Sequence, residues 1–341
     1  MDADLVVAGA GPAGLATALF AARAGLHTVV LDSRPSPIDK ACGEGLMPGA
    51  VSALRELGVD LQGRAIRGIR YTDGRRTVEA AFRHGSGLGV RRTTLQAALL
   101  DAVRAGGVEV VPARAEDVRQ DADSVSIDGR RARYLAVADG LHSPIRRQLG
   151  LGRVPDSRTA PRWGTRQHFA VAPWTDLVEV HWGARSEAYV TPVGPELVGV
   201  AVLSSIRAPF TEQLAAFPQL RDRFPDAGVT TVLGAGPLCQ KTSARVAGRV
   251  LLVGDAAGYV DALTGEGIAV AVACASALVD CVAADDPGAY ERRWLAASRR
   301  YRTITSSLLW ARRQPLIAPH IVQLAAQLPR VFGAAVQQLA H

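Results

Sequence analysis

The chain has 341 residues, of which 48% are hydrophobic and 21% are charged, so its composition is that of an ordinary globular protein and excludes a disordered chain. At about 150 residues per domain, this length predicts about two domains. The net charge of +7 is spread along the chain and aromatic residues make up only 5%. This pattern argues against nucleic-acid binding and favours a small acidic ligand such as a dinucleotide.

The sequence carries no recognisable targeting or metal-binding pattern. It begins with Met1-Asp2-Ala3-Asp4, which is acidic where a secretory signal is basic. The longest small-apolar run, over residues 268–279, is too short to span a bilayer. The four cysteines and seven histidines show no metal-ligand spacing, so no metal site is predicted. We therefore expect a cytoplasmic protein.

A strand–helix–strand unit opens the chain. An apolar strand is predicted over residues 5–8, a helix rich in alanine and leucine over 15–24, and a second strand over 27–31. The turn between the first strand and the helix reads GAGPAG at 9–14, and Asp32 follows the second strand. This order of elements around a GxGxxG turn is typical of a dinucleotide-binding βαβ unit.

The three glycines and the proline of that turn each have a separate predicted role. Gly9 permits the tight turn, Gly11 lets the backbone approach a pyrophosphate, and Gly14 lets the helix pack on the strand. Pro12 suits the first helical turn, where its missing N–H costs nothing. Asp32 can accept hydrogen bonds from the hydroxyls of an adenosine ribose.

The middle of the chain alternates between two patterns. A helix is predicted over 94–105, with strands over 108–111 and 134–138, whereas residues 66–90 and 157–233 show the alternation of an inserted antiparallel sheet. Two further glycine clusters, at 85–89 and 234–237, lack parts of a nucleotide-binding turn. We expect both to be loops.

A second candidate binding element follows the buried strand predicted over 249–253. Asp255 stands at the carboxyl end of that strand, the edge at which open α/β sheets bind ligands. The sequence TGEGI at 264–268 then opens an apolar helix whose N–H groups and dipole favour negative charge. A reduced flavin carries such a charge at its N1–C2=O edge, so the pair of elements favours a flavin over a nicotinamide dinucleotide alone.

Three motifs in order resemble one family of flavoproteins. They are GAGPAG at 9–14, ADGLHSPIR at 138–146 and GDAAG at 254–258, and Arg92-Thr93-Thr94-Leu95 also resembles the family's R-x-x-L. The chain resembles the FAD-dependent family that includes aromatic-hydroxylase-type monooxygenases, geranylgeranyl reductases and flavin-dependent halogenases. The resemblance implies the following cofactor-binding residues: Gly9, Gly11, Pro12, Ala13, Gly14, Asp32, Ser33, Arg34, Arg92, Asp139, Gly254, Asp255, Gly265, Gly267 and Ile268.

The resemblance also implies an α/β fold in which the domains are discontinuous. A Rossmann-like FAD-binding domain with a mostly parallel sheet is expected from residues 1–65, 91–156 and 234–286. An inserted substrate domain with an antiparallel sheet is expected from 66–90 and 157–233. The C-terminal segment 287–341 is expected to be helical.

The motifs that distinguish reductases, hydroxylases and halogenases within this family do not all indicate the same subclass. KACGEG at 40–45 and TGEGI at 264–268 resemble motifs of the geranylgeranyl reductases, and Gly258 replaces the histidine of typical hydroxylases. The tryptophan of the reductases' Y-x-W-x-F-P strand is missing from the nearest stretch, Ala188–Pro192. The halogenase motif W-x-W-x-x-I-P and its catalytic lysine are both absent.

Five residues are candidates for the substrate side of the flavin, and no catalytic residue is assigned. By resemblance Cys42 lies beside the flavin ring, although it could equally be a small buried residue that fits its surroundings. Glu44 could exchange a proton, cap a helix or face solvent, and Tyr189 could line the pocket or belong to the core. Asp261 and Glu266 would repel a reduced flavin, so we expect them to point away or to pair with arginine. The substrate-side candidates are Cys42, Gly43, Glu44, Tyr189 and Pro192.

We expect an FAD-dependent oxidoreductase, with a monooxygenase acting on a hydrophobic or aromatic small molecule as the main hypothesis. NAD(P)H is the expected electron donor. One alternative is a geranylgeranyl-reductase-like enzyme that reduces carbon–carbon double bonds, and another is a redox-silent protein in which the flavin only shapes a pocket. The basic stretch 292–313 could contact a membrane surface, but a solvated helix face is the favoured interpretation.

Overall fold

The computed structural model describes residues 1–154, 160–225 and 227–340. The domain boundary expected between residues 156 and 157 lies outside the described residues. The strands are β1 (Ala3–Ala8), β2 (Thr28–Leu31), β3 (Gly45–Leu46), β4 (Arg64–Ile66), β5 (Gly68–Thr72), β6 (Thr77–Ala81), β7 (Gly87–Gly89), β8 (Glu109–Val111), β9 (Arg119–Gln120), β10 (Val125–Ile127), β11 (Arg130–Val137), β12 (Gly152–Arg153), β13 (Trp163–Phe169), β14 (Leu177–Trp182), β15 (Ser186–Gly194), β16 (Leu197–Ser204), β17 (Leu233–Ala235), β18 (Lys241–Thr242), β19 (Val246–Ala247) and β20 (Val250–Leu252). The helices are α1 (Pro12–Arg23), α2 (Pro48–Glu56), α3 (Arg92–Ala105), α4 (Pro144–Gln148), α5 (Phe210–Ala215), α6 (Pro218–Arg221), α7 (Gly267–Ala283), α8 (Ala289–Arg313), α9 (Ile321–Gln327) and α10 (Pro329–Ala340).

The first sheet is parallel at its centre. Strands β20, β11, β1, β2 and β8 lie side by side and run in one direction, while β19 and β10 add antiparallel pairs. The central strands are apolar along their whole length, because helices such as α1 and α7 cover the faces of a parallel sheet. Val6, Val30, Leu135 and Leu251 are accordingly fully buried. The carboxyl ends of these strands therefore meet at one edge.

The second sheet joins the inserted segments of the chain. Its seven strands lie in the order β17-β13-β16-β15-β14-β5-β6, and every neighbouring pair is antiparallel except β14 with β5. This sheet, the mostly parallel first sheet and the C-terminal helices form the α/β fold that the sequence predicts.

Both glycine clusters predicted to be loops contribute to strands instead. β7 contains Gly87 and Gly89 and pairs with β3 and β4, and β17 contains Gly234 and pairs with β13. A Cβ atom on Gly89 would lie 1.8 Å from the carbonyl oxygen of Pro192. The glycine is needed for this close backbone approach, which is a use of glycine in strands that the sequence pattern does not distinguish from a loop.

The C-terminal helices are held to the second sheet by polar contacts. Arg312 of α8 forms an ion pair with Glu187 of β15, and its guanidinium also donates to the carbonyl oxygen of Gly183 at 3.0 Å. Gln337 of α10 donates to the carbonyl oxygen of Ala81 in β6 at 2.7 Å. In the described part of the chain, no helix has the length and apolar character needed to cross a membrane.

Candidate functional site

A large cavity lies between the carboxyl edge of the first sheet and one face of the second sheet. It is where most of the predicted site residues come together, although they are far apart in the sequence. Five predicted residues do not line it: Gly9, Gly14, Asp32, Ser33 and Pro192. Those that do are Gly11, Pro12, Ala13, Arg34, Cys42, Gly43, Glu44, Arg92, Asp139, Tyr189, Gly254, Asp255, Gly265, Gly267 and Ile268.

Two glycines of the first turn have no room for a side chain, and the third faces open space. Gly9 has a φ of +111°, and a Cβ atom there would lie 2.5 Å from the carbonyl oxygen of Ala138. A Cβ atom on Gly14 would lie 1.9 Å from the carbonyl oxygen of Gly9, so both residues are required by the fold. At Gly11 the nearest atom is Nη2 of Arg92, 4.0 Å away. Gly11 therefore leaves an open space where a diphosphate would lie.

Asp32 lies behind the cavity wall rather than on its surface. Its carboxylate accepts the N–H of Ala10 at 2.7 Å and forms an ion pair with Arg34 at 2.6 Å. Burial by itself would raise the pKa of Asp32, but the hydrogen bonds from Arg34 and Ala10 outweigh it and lower the pKa. Ser33 is exposed. The ribose contact predicted for Asp32 stays a prediction.

The second half of the site is a turn that starts at the end of β20. A 3-10 turn spans Gly254–Ala257, and Arg146 fixes it by donating to the carbonyl oxygens of Asp255 at 3.3 Å and Ala256 at 3.0 Å. The Asp255 side chain remains partly exposed to the cavity, where Nζ of Lys40 lies 3.4 Å from its carboxylate. Burial raises the pKa of Asp139, and its Oδ1 atom has no hydrogen-bond partner in the described residues.

Two helix N-termini open onto the cavity. Whether FAD fits the cavity depends on whether these ends can accept its anionic groups. Neither α1, which begins at Pro12, nor α7, which begins at Gly267, has a side-chain cap on its first N–H groups. Uncapped N-termini favour anions because their N–H groups and dipole point at the ligand. The α1 terminus beside Gly11 suits a diphosphate, and the α7 terminus suits the N1–C2=O edge of a flavin. The residues present therefore fit FAD.

Glu44 is held in a buried polar network. Its Oε1 atom accepts the N–H of Arg92 at 2.8 Å, which is where α3 begins, and its Oε2 atom lies 2.6 Å from Nε2 of His168. Nη1 of Arg166 lies 3.2 Å from Nδ1 of His168, and Nη2 of Arg166 pairs with Asp39. The hydrogen bond to the N–H of Arg92 agrees with the helix-capping interpretation of Glu44, and exposure to solvent is wrong because the residue is only 4% exposed. Proton exchange by Glu44 stays a prediction.

The other substrate-side candidates lie around this network. The Cys42 thiol is half-buried in the cavity wall and accepts the N–H of Glu44 at 3.4 Å. Tyr189 donates its hydroxyl to the carbonyl oxygen of Leu263 at 3.0 Å and presents its ring to the cavity. Gly43 lines the same wall, and its carbonyl oxygen accepts the hydroxyl of Thr191 at 2.8 Å. Pro192 is buried behind the wall against Gly89.

Sequence reasoning missed His168 and Arg166. Both lie on β13 of the second sheet, two residues apart and therefore on the same face, and both are almost fully buried. The sequence feature that could have indicated them is a pair of strongly polar residues at alternate positions within a segment predicted to form a sheet. Such residues are rarely buried without partners.

The two acids expected to point away from the flavin or to pair with arginine, Asp261 and Glu266, both lie near an arginine. Asp261 pairs with Arg162 at 3.0 Å, and neither acid lines the large cavity. Glu266 lies 3.8 Å from Arg300, but its Oε2 atom has no hydrogen-bond partner among the described residues. Burial raises the pKa of Glu266 to about 7, against the opposing charge of Arg300.

The part of the cavity under the second sheet is apolar. Side chains from β5, β14 and β16 form its roof, and the segments after β17 and the C-terminal helix α10 close it. A ligand there would lie among hydrocarbon side chains, with the Cys42 and Glu44 wall on one side. The residues that form this apolar lobe are Ile69, Tyr71, Val178, Val180, Leu203, Leu238 and Leu339.

Comparison with known proteins gives two kinds of match. The family described as "FAD binding domain" matches residues 2–213. A menaquinone reductase of Mycobacterium tuberculosis is 33% identical over 305 residues, which cover 78% of this chain and 73% of that protein. A digeranylgeranylglycerophospholipid reductase of Methanothrix thermoacetophila is 29% identical over 327 residues, covering 86% and 83%.

Solved structures share the fold at low sequence identity. A flavin-dependent brominase superimposes with a TM-score of 0.83 at 16% identity and covers 99% of this chain and 93% of that one. A flavoprotein/dehydrogenase from Cytophaga hutchinsonii gives a TM-score of 0.80 at 17% identity, covering 90% and 85%. At these identities the likeness establishes the architecture alone.

Proposed function

The chain belongs to the FAD binding domain family, and we propose that within this family it is a reductase that saturates a carbon–carbon double bond in an isoprenoid lipid. The general expectation of an FAD-dependent oxidoreductase is confirmed. The narrower expectation of a monooxygenase is not the one that the relatives favour, because those named above are reductases. Menaquinone and digeranylgeranylglycerophospholipid both carry isoprenoid chains, which suggests the substrate class.

The apolar lobe beneath the second sheet is the observation that carries this proposal. Ile69, Val180, Leu203 and Leu238 give it a hydrocarbon lining that suits an isoprenoid chain. It shares one cavity with Gly11 and with the N-terminus of α7, the residues that fit FAD. An isoprenoid chain bound in the apolar lobe could therefore reach the part of the cavity that fits FAD.

Reduction of a double bond adds a hydride to one carbon and a proton, drawn from solvent, to the other. When bound, reduced FAD would supply the hydride. The protein's own residues would hold the two ends of the cofactor at Gly11 and Gly267, orient the lipid chain in the lobe and exclude water from the reacting carbons. We include NAD(P)H in the proposal as the electron donor.

Mass analysis of products under two atmospheres tests the proposal. The FAD-loaded protein is incubated with NADPH and a geranylgeranylated glycerophospholipid or a menaquinone, once without oxygen and once in air. We expect a product heavier by one hydrogen molecule under both conditions. Fragmentation should locate the added hydrogens in the isoprenoid chain, because reduction of the quinone ring of menaquinone adds the same mass. A product heavier by one oxygen atom, formed only in air, would establish the monooxygenase instead. Absence of NADPH consumption with every substrate would favour the redox-silent protein.

A further inference from the structure

A second cavity lies on the other side of the turn that holds Asp255. It shares Gly254, Asp255, Tyr259, Gly267 and Ala271 with the wall of the first cavity. Beyond that wall it extends between α8 and the segment around β18, and it contains none of the substrate-side candidates. Beyond the shared wall, the cavity contains none of the predicted cofactor-binding residues, and the proposed reduction does not use it.

The second cavity is elongated, because its floor is one face of α8. The lining residues on this helix include Trp294, Ser298, Arg302, Leu309 and Arg313, which recur at intervals of four or seven residues and therefore share one face. At a rise of 1.5 Å per residue, the helix is about 28 Å long between the first and last of these positions. A compact anion would fill only a fraction of such a groove.

The lining is strongly basic. Among the described residues, six basic and only two acidic side chains line the cavity. The two acids are already paired, Asp255 with Lys40 and Asp261 with Arg162. Arg162 is also bound by Glu187, and Arg245, another basic residue of the lining, is bound by Glu291 outside it.

Four of the lining cations have no carboxylate partner in the part of the chain that the structure describes. They are Arg153 of β12, Lys241 of β18, and Arg302 and Arg313 of α8. Lys241 stands directly opposite Arg153 in the antiparallel pair of β18 and β12, so these two cations lie together. The charges of Lys241 and Arg313 both oppose the rise that burial causes in the pKa of the Cys239 thiol. Arg302 lies three turns of helix away from Arg313, so positive charge is presented at two separate points.

An aromatic ring completes the lining near Arg302. Trp294 is only 5% exposed and lies between two guanidinium groups, with Arg245 4.1 Å and Arg302 5.4 Å from the centre of its ring. These contacts hold Arg302 in place without neutralising its charge. The cavity therefore combines a preformed groove with cations at two points along its length, of which Arg302 is held by an aromatic contact.

We propose that this second cavity binds an elongated ligand that carries phosphate groups, which is the chemistry that a pyridine dinucleotide and a phospholipid share. Guanidinium groups bind phosphate oxygens through paired hydrogen bonds, and Lys241 adds a point charge at the outer end. The apolar and aromatic floor from Trp294 to Leu309 contacts the rest of the ligand. This site does not depend on which reaction the first cavity carries out.

Calorimetric titration of the FAD-loaded protein tests the site with three probes. They are NADP⁺, a short-chain phosphatidylglycerol below its micelle concentration, and inorganic pyrophosphate. We expect either NADP⁺ or phosphatidylglycerol to bind, and the one that binds identifies the source of the phosphate. The double variant Lys241→Gln/Arg313→Gln should weaken that binding by about tenfold or more, the loss that follows removal of a charged hydrogen bond. Because both side chains are exposed, the variant should fold normally.

Two further variants localise the effect. Arg302→Gln should weaken the same ligand by a similar factor, whereas Arg299→Gln, on an exposed face of α8 outside the cavity, should bind like the unmodified protein. The proposal is overturned if neither NADP⁺ nor phosphatidylglycerol binds, if pyrophosphate alone binds, or if all variants bind equally. Because each readout is a binding constant, failure of the lipid reduction would leave this result intact.

Discussion

Oε2 of Glu44 and Nε2 of His168 lie 2.6 Å apart in a position where both side chains are almost completely buried. Glu44 follows the second strand of the cofactor side, and His168 belongs to β13 of the second sheet. Their contact therefore ties the segment that contains Cys42 to the sheet that covers the apolar lobe. Arg166 stands on the same strand and extends this connection to Asp39.

Removal of the Glu44 carboxylate should strongly destabilise the protein. Glu44→Ala leaves the buried His168 without its acidic partner and the N–H of Arg92 without its acceptor, while Arg166 keeps Asp39. Loss of one member of a buried pair costs about 3–5 kcal/mol. Chemical denaturation of the two proteins measures the difference. Glu56→Ala, which changes an exposed glutamate on α2, is the matched control and should stay within about 0.5 kcal/mol. Equal effects of the two substitutions would refute the structural role of the network.

Gly11→Val should abolish FAD binding without unfolding the protein. The open space around Gly11 accepts the new side chain, which then occupies the position of the diphosphate. The flavin-to-protein ratio and the unfolding temperature of the flavin-free protein measure these two properties separately. Gly333→Ala on α10 adds a carbon where no atom lies within 4 Å and should keep its full FAD content. Full flavin occupancy in Gly11→Val would show that the diphosphate binds elsewhere.

Cys42→Ser should change the flavin rather than the fold. Serine is nearly isosteric, but its hydroxyl is a stronger hydrogen-bond partner than the thiol that now accepts the N–H of Glu44. We expect a shifted absorption band or reduction potential and a loss of turnover that exceeds the loss of stability. Cys239→Ser, at a half-buried cysteine outside the first cavity, serves as control. A spectrum, potential and turnover identical to those of the parent protein would leave Cys42 as a packing residue.

Glu266 should make stability depend on pH below neutrality. Burial raises its pKa from 4.5 to about 7, so the folded protein binds more protons than the unfolded chain between these two values. The free energy of unfolding therefore falls as pH rises through this window and levels off above it. Glu266→Gln cannot ionise, so its advantage over the parent protein should grow from about pH 5 to pH 8. Thermal unfolding of both proteins at several pH values measures this, and a constant difference would contradict it.

Some features of this protein follow from patterns of a few neighbouring residues, and others depend on contacts between distant segments. The GAGPAG turn at 9–14 and its flanking elements could be predicted because glycine spacing and apolar periodicity act over a few residues. The same reasoning predicted Asp255 and the α7 terminus as binding elements, and both line the first cavity. The family resemblance supplied the α/β fold. Sequence reasoning was wrong at Gly89, which it assigned to a loop. This glycine allows a close approach to the backbone of Pro192, which no local pattern reveals.

The sequence by itself determined the fold, the FAD binding domain family and the segments that meet at the first cavity. Only the tertiary structure decided the partners of Glu44, because His168 is 124 residues away and reaches it through the packing of two sheets. The same holds for the second cavity, since Lys241 of β18 and Arg313 of α8 are far apart in the chain and line one cavity only in the folded protein. Local propensities act between neighbours in the chain, whereas burial and charge pairing are set by which surfaces the folded chain brings into contact.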